Sequence, residues 1–372
     1  MLPEDLIRIG GETGQPCISL IVPVLQPLPE EKKADSQMLQ DAIQKVGDFL
    51  KEMYPASLVE KLLVSLRQLK ETLDKDNNPA ITGVGLYVSP DRHACFSFPF
   101  PVQEKISISN AFEIRELLFL QHYAIDYFLL EINGKKISLY KGGLNKLEEI
   151  KDEHFPRHFH DDYEYSKPAR GLSSTGNSVV QSFEKDKSTM IADRLKHFYR
   201  EADEWLASYV GKSPLVVAGP TKDLALLEEI SSHNKNTIGA IKGNYTHTTL
   251  QQLADKAWAL VHKWIDDQEH KDILELIQQT GRRLVVEGIK NVWKAANEGR
   301  GLKLLVEKDF ARPAFIDAKD RLFLKPPKVK HRITIDIIDD IMKKVVEKNG
   351  EVKFVKEGVL LEQQHIALIT RY

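Results

Sequence analysis

The chain has 372 residues, of which 42% are hydrophobic and 28% charged, and its formal net charge is −2. That length exceeds one ordinary core and that apolar content excludes a disordered chain, so two or three globular domains are expected. A charge near zero excludes global attraction to nucleic acid, so any RNA contact must come from local basic patches set against acidic surface elsewhere. No stretch approaches the run of about 18 apolar residues that a membrane helix needs, and MLPEDLIRIG lacks a basic segment leading into an apolar one. A cytoplasmic location is expected, with no membrane partner. Cys17 and Cys95 are the only cysteines. Both sit in apolar, strand-like surroundings, which suits buried thiols in a reducing compartment rather than a disulfide framework.

The first segment, 1–120, reads strand, helix, helix, strand, strand. Cys17 to Leu25 is a continuous apolar run of buried-strand length. Met38, Ala42, Val46, Phe49 and Met53 recur at helical spacing, and Leu58, Leu62, Leu66, Leu69 and Leu73 do so after Pro55, which predicts a helical hairpin. Gly83 to Ser89 and Ala94 to Phe100 are predicted strands, and Pro99 and Pro101 end the second or confine it to an edge.

The second segment, 121–247, opens with two strands around the Asn133-Gly134 turn, a strong hairpin signal. A long polar loop over 151–184 follows. Beyond it, Ile191, Leu195, Phe198, Ala202, Trp205 and Tyr209 mark one face of a long helix. Pro214 to Pro220 is a short buried strand, and a helix from Lys222 and the strand TIGAIKGN complete the unit. A loop of that length in a compact domain calls for a functional reason. The third segment, 248–372, begins with two or three helices between Thr248 and Glu298. The strands GLKLLVEKD and PAFIDAKD, a helix ended by Asn349-Gly350, and the strands EVKFVKEG and HIALITRY follow. Periodicity thus predicts three consecutive α/β units, with no internal repeat.

These segments resemble the bacterial archaeo-eukaryotic release factor family, most closely its family 3, related to class-1 release factors and Pelota. The resemblance is carried in order by ISLIVPV, FSFPFPVQEKISISNAFEIRELL, PLVVAGP before a helix, GAIKGNYTHTTLQQLADKAW, NEGRGLKLLVEKD and NGEVKFV. It covers nearly the whole chain. It implies a first domain related to the decoding-end domain of release factors, a middle domain of ribonuclease H-like topology, and a last domain of the fold shared with kink-turn-binding ribosomal proteins.

Release factors carry Gly-Gly-Gln in the loop before the long middle-domain helix. Here the matching stretch, Pro168 to Lys187, has no such motif. Gly171, Gly176, Asn177, Ser178 and Gln181 occupy the equivalent loop, and Asn177, Ser178 or Gln181 stands near the missing glutamine according to the register. Without adjacent glycines the backbone loses its permissive conformations, so hydrolysis by the family route is not expected and no catalytic residue is assigned. The codon-reading motif Asn-Ile-Lys-Ser is absent too. What remains is a Gly/Ser loop with basic flanks, Lys167 and Arg170 before it and Lys185, Lys187, Arg194, Lys196 and Arg200 after it. These side chains either contact RNA phosphate or form a solvated charged face.

Three further clusters bear on chemistry. HFPRHFHDD places His154, His158 and His160 in one loop with the right donors for zinc but no closed spacing, so neither metal nor cofactor is expected. Asp126 and Glu131 lie five residues apart on one strand and therefore on opposite faces, which argues against a shared nuclease metal site. Arg321, Lys325, Lys328, Lys330 and Arg332 cluster around Pro326-Pro327, as a second phosphate contact or as edge-strand protection. The expected function is a release-factor-like protein that binds the ribosome, or ribosomal or transfer RNA, in rescue, stalling or hibernation. It would neither read stop codons nor hydrolyse by Gly-Gly-Gln, and no DNA partner is expected. The alternative is a non-ribosomal protein-interaction scaffold that retains the fold.

Overall fold

The computed structural model describes residues 15–24, 29–74, 81–123, 125–159, 176–245 and 248–372, with side chains described for all of these but 29–33, 74 and 176–188. The fold is mixed α/β, in two compact units. One comprises Met1–Tyr123 with Gln268–Tyr372, the other Ala124–Asp267.

In the first unit, β1 (Cys17–Pro23), β2 (Gly83–Val88), β3 (His93–Phe98) and β4 (Lys105–Ser109) form a sheet of order β3-β2-β1-β4 with antiparallel neighbours. The unbroken apolar run of β1 is explained by burial on both faces, since side chains alternate along a strand. Ile18, Leu20 and Val22 face the helices α1 (Pro29–Met53) and α2 (Ala56–Asp74), against Ile43, Val46, Leu50, Leu62 and Leu66. Cys17 and Ile21 face the other way. There they join one core with Leu117 of α3 (Arg115–Tyr123) and with Val292, Leu304, Ile341 and Leu368 from the third segment.

The helical hairpin forms where the sequence predicts it, but its inner face is rotated. Leu39, Ile43, Val46 and Leu50 are buried, whereas Phe49 and Met53 are 49% and 62% exposed. Two apolar stripes run side by side on α1, and spacing alone does not say which one meets the sheet. Cys17 is buried as expected, while Cys95 is half-buried.

The third segment opens with α6 (Leu250–Gly281), a helix whose residues up to Asp267 belong to the second unit and whose remainder belongs to the first. Its sheet has the order β11-β17-β12-β16, from β11 (Val285–Glu287), β12 (Gly301–Glu307), β16 (Glu351–Val355) and β17 (Ile366–Thr370). The helices α7 (Ile289–Asn297) and α8 (Ile337–Glu347) lie against it. A smaller sheet of order β14-β13-β15 is inserted between β12 and α8, from β13 (Ala314–Asp317), β14 (Leu322–Phe323) and β15 (His331–Thr334). Lys303 on β12 holds the last turns of α6 by ion pairs to Asp272 at 2.9 Å and Glu275 at 2.6 Å.

The second unit is built on β5 (Asp126–Asn133) and β6 (Lys136–Gly143), paired antiparallel about the Asn133-Gly134 turn, where Asn133 Oδ1 accepts from the backbone N–H of Lys135 and Lys136. With β7 (Lys146–Glu149), β9 (Leu215–Gly219) and β10 (Thr237–Lys242) the order is β10-β9-β5-β6-β7. β9 and β10 run parallel to β5, and β6 alone runs against the others. One antiparallel strand beside the first, in an otherwise parallel five-strand order, is the ribonuclease H-like arrangement that the resemblance implies. α4 (Gly176–Val210) and α5 (Thr221–Ile230) cover the sheet through Phe198, Ala202, Leu206 and Leu224.

Candidate nucleic-acid interface

The stretch 151–184, expected as one polar loop, is divided. Its beginning is an ordered turn leading into β8 (Arg157–His158), which pairs with β6. Asp152 organises it, accepting from the backbone N–H of His154 and Phe155 and from the Tyr209 hydroxyl at 2.7 Å. The Tyr209 bond and those two amides hold the Asp152 carboxyl below its ordinary range. Its end is helical, since α4 starts at Gly176 rather than near Ile191. The Ser-, Asn- and Lys-rich composition there reads as loop because it lacks a long apolar stripe, yet nothing in it breaks a helix. Gly176, Asn177, Ser178 and Gln181 therefore stand in the first turns of α4, and Lys185 and Lys187 further along it. Lys167, Arg170, Gly171 and His160 lie outside the described residues.

Of the described cations of α4, Lys196 is drawn into the unit's own surface. Lys196 is 2.5 Å from Glu229 on α5, and this bond, with Lys196's charge and a smaller contribution from Arg200, keeps the Glu229 carboxyl below its ordinary range. Arg194 is half-buried and Arg200 exposed. The histidine readings also resolve into packing. The His154 ring stacks on Trp205 with centroids 3.6 Å apart, and His158 is exposed on β8. Among the described residues no group of three histidine, cysteine or acidic side chains is placed to hold a metal ion. Asp126 pairs with Lys141 at 2.8 Å, while Glu131 accepts from the Tyr140 hydroxyl at 2.9 Å. The two carboxylates thus address separate partners.

A serine, a histidine and an aspartate do meet at the end of α5. Asp203 Oδ1 lies 3.1 Å from His233 Nδ1, and Ser232 Oγ lies 3.2 Å from the same nitrogen. A relay needs the hydroxyl and the carboxylate on opposite nitrogens of the ring. Here Asp203 also accepts from the Ser231 and Ser232 hydroxyls and from the Ser232 N–H. The cluster fastens the turn after α5 to α4 and has no nucleophile in working geometry.

Around the small sheet of the first unit the charges are placed differently. Arg321 is fixed at 2.7 Å from Asp317, its guanidinium near the Phe323 ring, and Arg332 on β15 lies 3.6 Å from Asp340. Lys325, Lys328 and Lys330, on the connection from β14 to β15, are exposed and form no ion pair with a described residue. Among the described residues no carboxylate neutralises their charge. This connection and the basic residues of α4 belong to different units.

Sequence reasoning passed over a cluster of ionic side chains. Glu113, Arg115, Glu116, Asp336, Asp339 and Lys343 gather where the first and third segments pack. Burial would raise the Asp339 carboxyl, but Lys343 at 2.7 Å, together with Lys105, outweighs it and holds Asp339 low. The Glu113 carboxyl is raised by burial and by Asp339. The available signal was charge inside apolar helix stretches, IRELLFL and IDIIDDIM, which marks ionic residues on a buried face.

The family model for bacterial archaeo-eukaryotic release factor family 3 matches residues 126–300. No curated protein matches the chain. Among solved structures it is similar to the archaeal translation termination factor aRF1, at 13% identity over 100% of this chain and 99% of that one, with a TM-score of 0.24. It is similar to Pelota of Archaeoglobus fulgidus at 15% identity, over 78% and 79% of the two chains, with a TM-score of 0.38. Dom34 of S. cerevisiae gives 12% identity, 78% and 79% coverage and a TM-score of 0.38. At those scores the likenesses to solved structures carry no argument of their own, and the family match does. What the comparisons establish is that residues 126–300 match the model of bacterial archaeo-eukaryotic release factor family 3.

Proposed function

We propose that this protein is a ribosome-binding factor of the release-factor kind, acting in rescue, stalling or hibernation, which neither reads stop codons nor hydrolyses peptidyl-tRNA. The observation that carries the reading, beyond the family match, is that Lys325, Lys328 and Lys330 are exposed and have no ion partner among the described residues, in a chain of net charge −2. Lysines left unpaired at a surface gain most from a polyanion, because each phosphate they neutralise releases a condensed counterion. Ribosomal or transfer RNA is the polyanion that a release-factor relative would meet. The three-domain division at 1–120, 121–247 and 248–372 belongs to the same proposal. So does a contribution from Lys167, Arg170, Lys185, Lys187, Arg194 and Arg200 on the middle segment.

Co-sedimentation of the purified protein with ribosomes, alongside a peptidyl-tRNA hydrolysis assay on the same preparation, tests this reading. Saturable binding without release of the peptide supports it. Release of peptide would restore a catalytic role to the stretch around Asn177 and Gln181, and absence of binding at low salt would favour the scaffold alternative.

A further inference from the structure

The first unit carries a groove of about 620 Å³ between β4 and the β15 strand of the small sheet. Among the described residues β4 is an outer strand of its sheet that bonds only β1, and β15 is an outer strand that bonds only β13. Each therefore turns a row of backbone N–H and C=O groups away from its one partner, and both rows border the same groove. Its walls mix apolar side chains with polar and charged ones, Asp340 and Lys343 among them. Ile333 is 67% exposed, Ile335 is 74% exposed, and Phe49 from the outer stripe of α1 stands beside them. Unpaired strand edges and exposed isoleucines in one place are a liability unless something covers them.

We infer that this groove receives an extended segment of another protein, added as a strand along β4 or β15, with apolar side chains at alternate positions and carboxylates flanking them. The strand edges specify an extended chain, since a helix has no free backbone groups to pair with them. Period-two alternation follows, because alternate side chains of an added strand point into the groove. The charge preference follows from which ions in the groove are committed. Glu113 is held by Lys105 at 2.7 Å and sits inside. The cations at the rim, Lys45 and Arg332, are largely exposed and only loosely paired, each 3.6 Å from its carboxylate. An incoming carboxylate meets available positive charge, whereas RNA would find phosphate partners but nothing to pair with the strand edges or cover the isoleucines. This surface goes beyond the ribosome reading and stands whether or not that reading holds.

The test is selection from a displayed library of random linear peptides on the full-length protein, followed by fluorescence anisotropy with the enriched peptides. Enriched sequences should alternate apolar residues and carry acidic flanks. Their affinity should fall at least about tenfold for Ile333→Asp and Ile335→Asp, and hold for Ile277→Asp, an exposed isoleucine on α6. N-methylation of peptide amides should abolish binding at one parity of position and spare the other, as strand pairing requires. The inference is overturned if no peptide is enriched, if enriched peptides bind the aspartate variants equally well, or if both methylation parities act alike. It is also overturned if a uridine oligoribonucleotide, rather than peptide, loses affinity in the two variants, or if the groove is consumed by concentration-dependent dimerisation.

Discussion

The guanidinium of Arg115 lies 2.5 Å from the carboxylate of Asp336, joining two residues far apart in sequence and both nearly buried. Arg115 also donates to the carbonyls of Lys308 and Phe310, and the backbone N–H groups of Ile114 and Arg115 both point to Asp339 Oδ1. Asp336 in turn caps α8 by accepting from the Ile338 N–H. The first and third segments are clasped by these hydrogen-bonded ions at the edge of their shared core.

Breaking that clasp from one side leaves an uncompensated buried charge. Arg115→Ala and Asp336→Ala should each destabilise the first unit by about 3–5 kcal/mol, and the double variant by much less than the sum. Denaturant unfolding of the three variants checks this. Additive losses would mean that the pair is not coupled.

Glu116 presents the opposite case. Its carboxyl is deeply buried, one oxygen has no hydrogen-bond partner, and burial raises its pKa above the ordinary 4.5 against the pull of Lys105, with Asp339 adding to the rise. A carboxyl with a higher pKa folded than unfolded favours the fold while protonated. That contribution disappears as pH rises from the unfolded to the folded value. Glu116→Gln, which stays neutral, should therefore be more stable than the parent at neutral pH. The difference should shrink as pH falls through the raised folded value and be lost below about 4.5. Thermal unfolding across that range reads it, and a difference independent of pH would remove burial of charge as the cause.

Gly219, which ends β9, is required by close approach. A Cβ there would stand 2.5 Å from the Ile132 carbonyl oxygen on β5, and backbone cannot yield as a side chain can. Gly219→Ala should cost about 1–3 kcal/mol, while Gly134→Ala, where the added methyl meets open space, should be nearly neutral. Equal unfolding midpoints for the two variants would contradict this packing.

Much of this architecture is legible in the sequence, for reasons that differ by element. β1, β9 and the β5–β6 hairpin are apolar runs punctuated by Pro and Asn-Gly, and local signals suffice for them. β14 and β15 are two and four residues long, and they exist only because β13 lies between them, a long-range fact that no window of sequence holds. The basic residues from Arg321 to Arg332 could be named from sequence as a cluster. Which were already matched by Asp317 and Asp340 could not, because the acids come from neighbouring strand and helix positions. Phe49 fails for a related reason. It satisfies the helical period, but the sheet selects the adjacent stripe.

The central claim is that Lys325, Lys328 and Lys330 carry contact with ribosomal RNA, and a salt series tests it most directly. Ribosome affinity should fall linearly on logarithmic axes as salt rises. In the variant Lys325→Ala with Lys328→Ala and Lys330→Ala, affinity at low salt should drop and the slope should become shallower by about two to three. Unchanged affinity and slope in that variant would contradict the claim, whether or not the protein binds ribosomes by another surface.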